Sequence, residues 1–422
     1  MLDTRETSLH IPLGGSLVLG AATTREDVER VSEFNGIIHG PGIVSMTRNI
    51  FLQHPDTRGG DLIFVEDTTT HQIVSSLCLI PWHIRYGEAQ LTSGEMGIVG
   101  TLESYRRRGL IRAQAEVFME RLKARGCVLS HIQGIGYYYR QFGYEYAMPL
   151  DGGLIVTRRN LVSPAPGSFT CCPASSADIP ALMTLADIAA RDIAIHTVRD
   201  ADIWRYLFTY STGTETESEV WLVLDSDSRI RGYMRLPGHH FGQELTVSEA
   251  SQMDFETAVA SLHFLVQLAE ERHTPGVRLC LPANCNLMRV ACSFDARDMG
   301  NYAWQVHIPD AAALLGAVGP ELERRVAGSL FAGLSRDIDI GFFRHAVRLT
   351  FSDGRITQVV DLGFTDGTAI RFPAQAFTKL ALGYRSLDEI LAAYPDAGVP
   401  LADRLLVETL FPEVQAFLYT IY

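Results

Sequence analysis

The sequence predicts a mixed α/β protein, with two similar α/β regions in tandem and a third α/β region after them. Short apolar runs of strand type alternate with amphipathic helical stretches, and a similar order of elements recurs after a segment rich in Ser, Pro and Gly. Of the 422 residues, 47% are hydrophobic and 20% are charged, which excludes global disorder and fibrous architectures. At roughly 100–200 residues per domain, this length predicts two to four domains.

The first region, residues 1–155, begins with alternating strand and helix patterns. The Thr23-Thr24 pair is typical of a helix N-cap, and polar residues at 67–70 separate two β-rich runs, which predicts a hairpin. In chain order the pattern predicts a strand at 17–21, a helix at 25–34, hairpin strands at 61–66 and 72–80, a strand at 96–102 and a helix at about 109–125.

The second region, residues 156–297, follows a change of composition, and the Ser-, Pro- and Gly-rich segment at 163–168 marks a linker. It repeats the pattern of the first region. In chain order we expect a helix at 176–194, strands at 220–225 and 231–236, an amphipathic helix at 255–271 and a strand at 277–281.

The third region, residues 298–422, is also α/β and has an apolar end. In chain order we expect a strand at 304–308, a helix at 310–318, two strands joined by a turn at 352–354, and helices at 373–382 and 386–393. Residues 410–422 are strongly apolar, which is unusual because free termini generally fray into solvent.

Charge and composition narrow the classes of partner. The formal net charge is −13, from 36 Lys and Arg against 49 Asp and Glu, which argues against nucleic acid or an anionic membrane surface as the main partner. It favours cationic small molecules, and an acidity that only keeps a cytosolic protein soluble is an equally good explanation. No run approaches the roughly 18 apolar residues of a membrane span, and no signal-peptide pattern is present, so we expect a soluble, cytoplasmic protein. The seven cysteines are scattered, so we expect reduced thiols and no bound metal.

Residues 98–112 carry the clearest functional signal, because a strand runs through the basic turn Arg106-Arg107-Arg108 straight into a helix. The first amides of a helix lack intrahelical acceptors and lie at the positive end of its dipole, so the amides of residues 108–112 can hold a pyrophosphate. Gly109 lacks the Cβ that would block the close approach of such a group. A lone basic run is more often a solvated turn, and a second motif decides between these interpretations.

That second motif follows a strand predicted at 127–132. It has the pattern aromatic-Tyr-x-x-aromatic-Gly-aromatic, at Tyr138, Tyr139, Phe142, Gly143 and Tyr144. Together the two segments resemble the GCN5-related N-acetyltransferase (GNAT) family. The basic turn matches that family's acetyl-CoA signature, Arg/Gln-x-x-Gly-x-Gly/Ala, at Arg106 and Gly109, and departs from it at Ile111, which stands in the final small position.

The resemblance extends to the Eis (enhanced intracellular survival) branch of that family. The shared features are the Arg-Arg-Arg-Gly-Leu run at 106–110, a weaker second α/β repeat, and an aromatic C-terminal residue after a Phe-Pro element. The resemblance implies a catalytic GNAT domain over 1–155, a second, degenerate GNAT-like domain over 156–297, and a sterol-carrier-protein-like domain over 298–422. It also implies a homo-oligomer, often a hexamer in this branch.

The implied function is acetyl-CoA-dependent N-acetyl transfer to a primary amine of a small molecule, such as an aminoglycoside, or of a peptide. In the family, the strand before the basic turn is splayed from its neighbour, so its free backbone groups hold the pantetheine arm and one N–H polarises the thioester carbonyl. The expected cofactor contacts are Val99, Gly100, Thr101, Arg107, Arg108, Gly109, Leu110, Ile111, Arg112, Gly134 and Ile135.

Two further groups complete the implied chemistry. Tyr139 is the expected general acid, since its spacing to Phe142-Gly143-Tyr144 selects it over Tyr137 and Tyr138. In the Eis-like branch the base is the chain's own terminal carboxylate, here that of Tyr422, and an apolar end that packs inward would deliver it. The alternative is that this end only completes the third region.

Other interpretations stay open at the level of sequence. Histidines are candidate bases on chemical grounds, although none lies in a recognisable motif; they are His131, His239, His240 and His307. A different functional class is a lipid-binding or interaction protein, in which the third region is the active part and the first binds acyl-CoA only as a ligand.

Overall fold

The computed structural model describes residues 9–162, 164–167, 169–238, 242–365 and 367–422, and it has the predicted mixed α/β class. Its strands are β1 (His10–Gly14), β2 (Leu17–Ala21), β3 (Leu62–Asp67), β4 (Gln72–Tyr86), β5 (Ala89–Thr101), β6 (Leu129–Ile132), β7 (Glu145–Val156), β8 (Thr170–Pro173), β9 (Ile195–Thr197), β10 (Ser218–Leu224), β11 (Ile230–Pro237), β12 (Leu245–Val247), β13 (Glu249–Ala250), β14 (Val277–Leu279), β15 (Arg297–His307), β16 (Arg336–Gly341), β17 (Ala346–Ser352), β18 (Arg355–Gly363), β19 (Ile370–Arg371) and β20 (Ala416–Phe417). Its α-helices are α1 (Arg25–His39), α2 (Gly42–Gln53), α3 (Leu110–Ala124), α4 (Ile179–Ala190), α5 (Ala201–Thr209), α6 (Phe255–Glu271), α7 (Asn286–Ser293), α8 (Ala311–Ala317), α9 (Gly319–Ala327), α10 (Ala374–Ala381), α11 (Leu387–Ala393) and α12 (Arg404–Leu410).

Local polar side chains set several helix ends. Thr24 caps α1: its Oγ1 accepts the N–H of Asp27 at 3.1 Å, and the Asp27 carboxylate accepts the N–H of Thr24 at 2.9 Å. In the same way α6 begins after Asp254, whose carboxylate accepts the N–H of Thr257 at 2.8 Å. These caps satisfy amides that have no intrahelical acceptor, so the helix starts follow from the sequence.

A twelve-stranded mixed sheet runs through most of the described chain. Its order is β1-β2-β3-β4-β5-β6-β15-β7-β14-β12, and β9 and β20 pair with each other beside β4. β15 lies between β6 and β7, so a strand from about 150 residues further along the chain completes the sheet of the first region. The sheet therefore connects the three predicted regions, whose boundaries at 155/156 and 297/298 stay a prediction.

The rest of the described chain packs around two smaller sheets, β13-β11-β10-β8 and β18-β17-β16-β19. The third region contacts the main sheet near the end of β4, where the hydroxyl of buried Tyr86 donates to the carbonyl of Ala381 in α10. Arg325 of α9 lies over the Tyr86 ring at 5.2 Å and pairs with Glu321 at 2.8 Å. No helix of the described ranges is long and apolar enough to cross a membrane.

Candidate active site

Strand β5 is irregular at residues 97–100, close to Val99, Gly100 and Thr101, which are the predicted contacts of the thioester arm. Cys78 of β4 is paired with Gly97 and Ser76 with Gly100, so β5 has one extra residue there, and Ile98 adopts a positive φ of 47°. This is a β-bulge, which bends a strand and redirects its backbone groups. The pairing of β5 with β6 ends at Glu95, although β5 continues to Thr101. Among the described strands, the later part of β5 therefore has one edge without a partner.

The basic turn between β5 and α3 presents a helix N-terminus to that open edge. Gly109 is the N-cap of α3 and makes no side-chain cap, so the first helical amides remain available to a ligand. Its φ is +76°, whereas a Cβ built on it would contact nothing within 4 Å. The left-handed backbone conformation by itself favours a glycine here, and the close approach of a diphosphate stays a prediction.

The strand, the turn and the aromatic segment together enclose a cavity of about 690 Å³, which we call the cofactor cavity. This volume is typical of small-molecule sites, at roughly 300–1,000 Å³. Predicted residues that line it are Val99, Gly100, Thr101, Arg107, Gly109, Leu110, Ile111, Arg112, Ile135 and Tyr139. Lining residues that the sequence analysis did not assign are Ile38, Tyr105, Arg106, Tyr138, Gln141 and Phe142.

Two predicted cofactor contacts lie beside this cavity rather than on its lining. Arg108 turns back, with its Nη2 donating to the Ser104 carbonyl at 3.2 Å and its guanidinium over the Tyr105 ring at 4.7 Å. Gly134 lies behind Tyr139, and a Cβ on it would be 2.2 Å from the Tyr139 ring. Gly134 therefore leaves space for the tyrosine, and its carbonyl accepts the Tyr302 hydroxyl at 2.8 Å.

Tyr139 differs from the two tyrosines before it. It lies in a short 3₁₀ helix, Tyr138–Phe142, is only 6% exposed, and packs edge-on against Tyr138 with centroids 5.0 Å apart. Tyr137 is 70% exposed and does not line the cavity. Burial raises the pKa of Tyr139 well above its usual value, so its hydroxyl keeps its proton at neutral pH.

The apolar end of the chain packs inward. After β20, which pairs parallel with β9, residues 418–421 are buried or half-buried and the carbonyl of Ile421 lies 3.2 Å from His54 Nε2. The Tyr422 hydroxyl donates to Glu95 Oε1 at 2.9 Å, and Trp82 Nε1 donates to Glu95 Oε2 at 2.9 Å. The last side chain is thus fixed at the residue where β5 and β6 separate.

A second, smaller cavity of about 260 Å³ lies at this end of the chain, and we call it the terminal cavity. It is lined by Trp82, Gln133, Glu215, Arg235, Trp304, Tyr422 and neighbouring residues. Gln133 lines the terminal cavity and Ile135 the cofactor cavity, so the two cavities adjoin at the segment 133–135.

Comparison with known proteins identifies the family of the segment that forms most of the cofactor cavity. The family model for the acetyltransferase (GNAT) domain matches residues 45–147, which include the bulged strand, the basic turn, α3 and Tyr139. Residues 45–147 form a GNAT acetyltransferase domain. The chain is therefore an N-acetyltransferase, and its GNAT domain supports acyl transfer from a CoA thioester to an acceptor. No curated protein matches the chain.

Solved structures share the fold far beyond the GNAT domain. A probable N-acyltransferase from Enterococcus faecalis has a TM-score of 0.72 at 13% identity, covering 96% of this chain and 99% of that chain. A GCN5-related N-acetyltransferase from Kribbella flavida has a TM-score of 0.68 at 16% identity, and Eis1 from Mycobacterium abscessus one of 0.60 at 15% identity; each comparison covers 96% of this chain and 100% of that chain. The GNAT domain thus belongs to a chain with the fold of the Eis branch.

Of the candidate histidines that the structure describes, His131 and His307 line neither cavity. His131 is enclosed between Trp82 and Trp304, at ring distances of 4.9 and 5.1 Å, and burial lowers its pKa to about 3. His307 is buried against the Gly143 carbonyl, 3.2 Å from its Nδ1, and burial lowers its pKa also. His239 and His240 lie outside the described residues.

Glu95 is the residue that sequence analysis missed, and its environment predicts a pH-dependent stability. Burial raises its pKa from 4.5 to about 7, although the bonds from Tyr422 and Trp82 oppose that rise. Between these pH values the unfolded chain has lost the proton that the folded chain keeps, so the free energy of unfolding falls as the pH rises. The loss through this one group is about 3 kcal/mol, complete above pH 7.

We expect Glu95→Gln to remove this pH dependence. Urea unfolding of both proteins at pH 5 and pH 8 measures it: the wild type should lose stability over this range relative to the variant. Glu120→Gln, on the exposed side of α3, is the matched control and should follow the wild type. Parallel curves for wild type and Glu95→Gln would contradict the assignment.

Proposed function

We propose that this protein transfers the acetyl group of acetyl-CoA to a primary amine of a small or peptidic acceptor by direct attack on the thioester. One observation carries the proposal: a bulged strand whose edge is unpaired among the described strands, an open helix N-terminus and a buried tyrosine line one cavity, and all three lie in the GNAT domain. The bulge and the helix start are backbone features, which suit a thioester arm and a diphosphate respectively.

Cofactor recognition follows from charge and backbone geometry. The diphosphate of acetyl-CoA accepts hydrogen bonds from the amides at the start of α3, and the guanidiniums of Arg106, Arg107 and Arg112, which line the cofactor cavity, neutralise its charge. The pantetheine arm lies along Val99 to Thr101, where the edge of β5 is unpaired among the described strands. Arg108 and Gly134 contribute indirectly, because Arg108 packs on Tyr105 of the lining and Gly134 leaves space for Tyr139.

The chemical steps use three protein groups. The neutral amine nitrogen attacks the acetyl carbon, while a backbone N–H of the bulge stabilises the oxyanion that forms. The C–S bond then breaks, and the thiolate takes the proton of Tyr139. The proton lost by the amine nitrogen passes to the α-carboxylate of Tyr422, and its return through solvent to the Tyr139 phenolate restores both groups, so the products are the amide and free CoA.

The raised pKa of Tyr139 is compatible with this role. A phenol near pKa 10 is a weaker acid than a thiol near 8.5, and burial weakens it further. A thiolate that forms in the same cavity is desolvated as well, so its own proton affinity rises. Desolvation of the thiolate therefore narrows the gap between the two pKa values, so the transfer stays uphill but feasible at short range, and the hydroxyl keeps its proton until the C–S bond breaks.

The larger assembly is proposed on the resemblance. We infer a catalytic domain over 1–155, a degenerate GNAT-like domain over 156–297, a sterol-carrier-protein-like domain over 298–422, and a homo-oligomer. The separate sheet β18-β17-β16-β19 supports a distinct unit within the last of these ranges, whereas β15 and β20 belong to the main sheet.

Release of free thiol from acetyl-CoA across a panel of amines tests the function. We compare the wild type with Gly109→Asp and Gly109→Asn, because Asn and Asp both tolerate the left-handed conformation. The aspartate places a negative charge against the diphosphate; at 4 Å two like charges repel by roughly 4 kcal/mol at an effective dielectric of 20. We expect Asp to weaken acetyl-CoA binding by at least about tenfold relative to Asn. Binding without thiol release from any amine would instead favour a lipid-binding or interaction protein.

A further inference from the structure

Arg235 is a buried cation that faces the terminal cavity. It lies on β11 opposite Glu249 of β13, is 2% exposed, and lines the cavity together with Tyr422. Its Nη1 is buried and has no hydrogen-bond partner among the described residues, and no carboxylate in the described ranges forms an ion pair with its guanidinium. Burial of a charge without a partner raises the free energy of the folded protein, unless a ligand of opposite charge pairs with it.

The carboxylate opposite Arg235 on the neighbouring strand is already occupied by other groups. Glu249 accepts hydrogen bonds from both Nη atoms of Arg199 and from the Tyr233 hydroxyl. Arg199 is itself fixed, since its guanidinium lies over the Trp204 ring at 4.2 Å. The cluster thus holds two guanidiniums and one carboxylate, and the carboxylate pairs with Arg199, which leaves the positive charge of Arg235 without an ion pair among the described residues.

The charge of Arg235 persists at neutral pH. Burial lowers its pKa to about 10, with Glu249 opposing that change, so the guanidinium stays protonated in the physiological range. An arginine presents two parallel N–H donors, which match the two oxygens of a carboxylate. The side chain is therefore suited to bind a planar anion inside the cavity.

The opposite charge lines the same cavity. Glu215 lies on its lining, and so does Tyr422, whose α-carboxylate is the proposed base. The cavity thus has groups for an ammonium and a group for an anion. At about 260 Å³ it is smaller than the roughly 300–1,000 Å³ of sites for drug-sized ligands, which favours a small acceptor.

We propose that the acceptor is a small amine that also carries a carboxylate, and that Arg235 binds this carboxylate while the amine lies towards Tyr422. The proposal rests on the acetyl-transfer function above and specifies its substrate class. A polycation would leave Arg235 without a partner and add positive charge beside it. Amino acids with the amine and the carboxylate at opposite ends have the required chemistry.

Matched acceptors test this on the full-length protein with saturating acetyl-CoA. The acceptors are β-alanine, 4-aminobutyrate and 6-aminohexanoate, each compared with its carboxamide, so only the negative charge differs within a pair. We expect kcat/KM for the best carboxylate to exceed that of its carboxamide by about 10- to 100-fold, since this is the range for a hydrogen bond to a charged group.

Variants then connect the preference to Arg235. Arg235→Met should abolish the preference by lowering kcat/KM for the carboxylates alone, and Arg235→Lys should retain part of it. Arg231→Met is the control, because Arg231 lies on the same strand but is exposed and pairs with Asp254 at 2.7 Å. The thermal midpoint of Arg235→Met should be unchanged or higher, because removal of an uncompensated buried charge is not destabilising.

The possible outcomes distinguish failure of this inference from failure of the acetyl-transfer function on which it rests. Equal kcat/KM for carboxylates and carboxamides contradicts the inference and leaves the acetyltransferase standing, whereas no thiol release from any acceptor contradicts the function and the inference with it. If Arg235→Met lowers kcat/KM equally for all acceptors, Arg235 maintains the structure of the site and does not bind the carboxylate of the substrate, which contradicts the inference. If Arg235→Met does not fold, the ratio in the wild type and in Arg235→Lys decides.

Discussion

Replacement of Tyr139 by Phe lowers kcat for acetyl transfer by about 10²–10⁴-fold, the usual contribution of a general acid, and leaves the affinity for acetyl-CoA unchanged. The phenylalanine ring keeps the contacts with Tyr138 and Tyr144, whose centroids are 5.0 and 6.1 Å away, and still fits against Gly134. Only the hydroxyl is lost, so packing and cofactor binding are preserved. Steady-state thiol release and calorimetric titration with acetyl-CoA measure the two quantities.

Tyr138→Phe is the matched control for this prediction. Tyr138 lines the same cofactor cavity and is the neighbouring residue in the aromatic motif, yet it is far more exposed than Tyr139. Its hydroxyl takes no part in the proposed steps, so kcat should stay close to that of the wild type, while the free energy of unfolding should change by no more than about 0.5 kcal/mol. Equal kcat for the wild type and Tyr139→Phe would remove Tyr139 from the mechanism.

Features that depend on neighbours in sequence were predicted closely. The helix expected at 255–271 is α6, Phe255–Glu271, and the helix expected at about 109–125 is α3, Leu110–Ala124. In both, a cap or a turn at one end and an apolar face of helical period lie within a few residues of each other. The helix expected at 176–194 is shorter, Ile179–Ala190, because its last predicted turn gives way to β9.

Features that depend on distant pairing were not predicted. The strand expected at 304–308 is the last part of β15, which inserts between β6 and β7. Nothing in residues 297–307 records which strands will be their neighbours, since any strand with the right alternation can pair. For the same reason the pairing of β20 with β9, which directs the end of the chain inward, has no signal near residue 416.

The two cavities of the candidate site differ in the same way, because one is formed by residues close in sequence and the other by distant segments. The strand, turn and helix of the cofactor cavity are contiguous in sequence, so most of its predicted lining residues lie together in the structure. The terminal cavity collects Trp82, Glu215, Arg235 and Tyr422 from four distant segments. Glu95 illustrates the limit: it is the one charged residue of β5, but its partners are 13 and 327 residues away in the sequence.

Moving the carboxylate of Tyr422 should abolish turnover without loss of cofactor. Addition of one glycine after Tyr422 keeps every side chain of the terminal segment but displaces the carboxylate by up to about 3.6 Å. Misplacement of a reacting group by 1 Å can cost about 10²-fold, so we expect kcat to fall by at least that factor. Removal of the last few residues should have the same effect. Acetyl-CoA affinity should remain, because none of residues 416–422 lines the cofactor cavity.

Tyr422→Phe separates the carboxylate from the side chain that positions it. This variant keeps the terminal carboxylate and removes the hydrogen bond to Glu95, so it should lose activity by no more than about tenfold, the value of one hydrogen bond to a charged group at the lower end of its range. The order of activities should therefore be wild type, then Tyr422→Phe, then the glycine-extended protein. If the extended protein turns over as fast as the wild type, the base is another group and the apolar end serves packing alone.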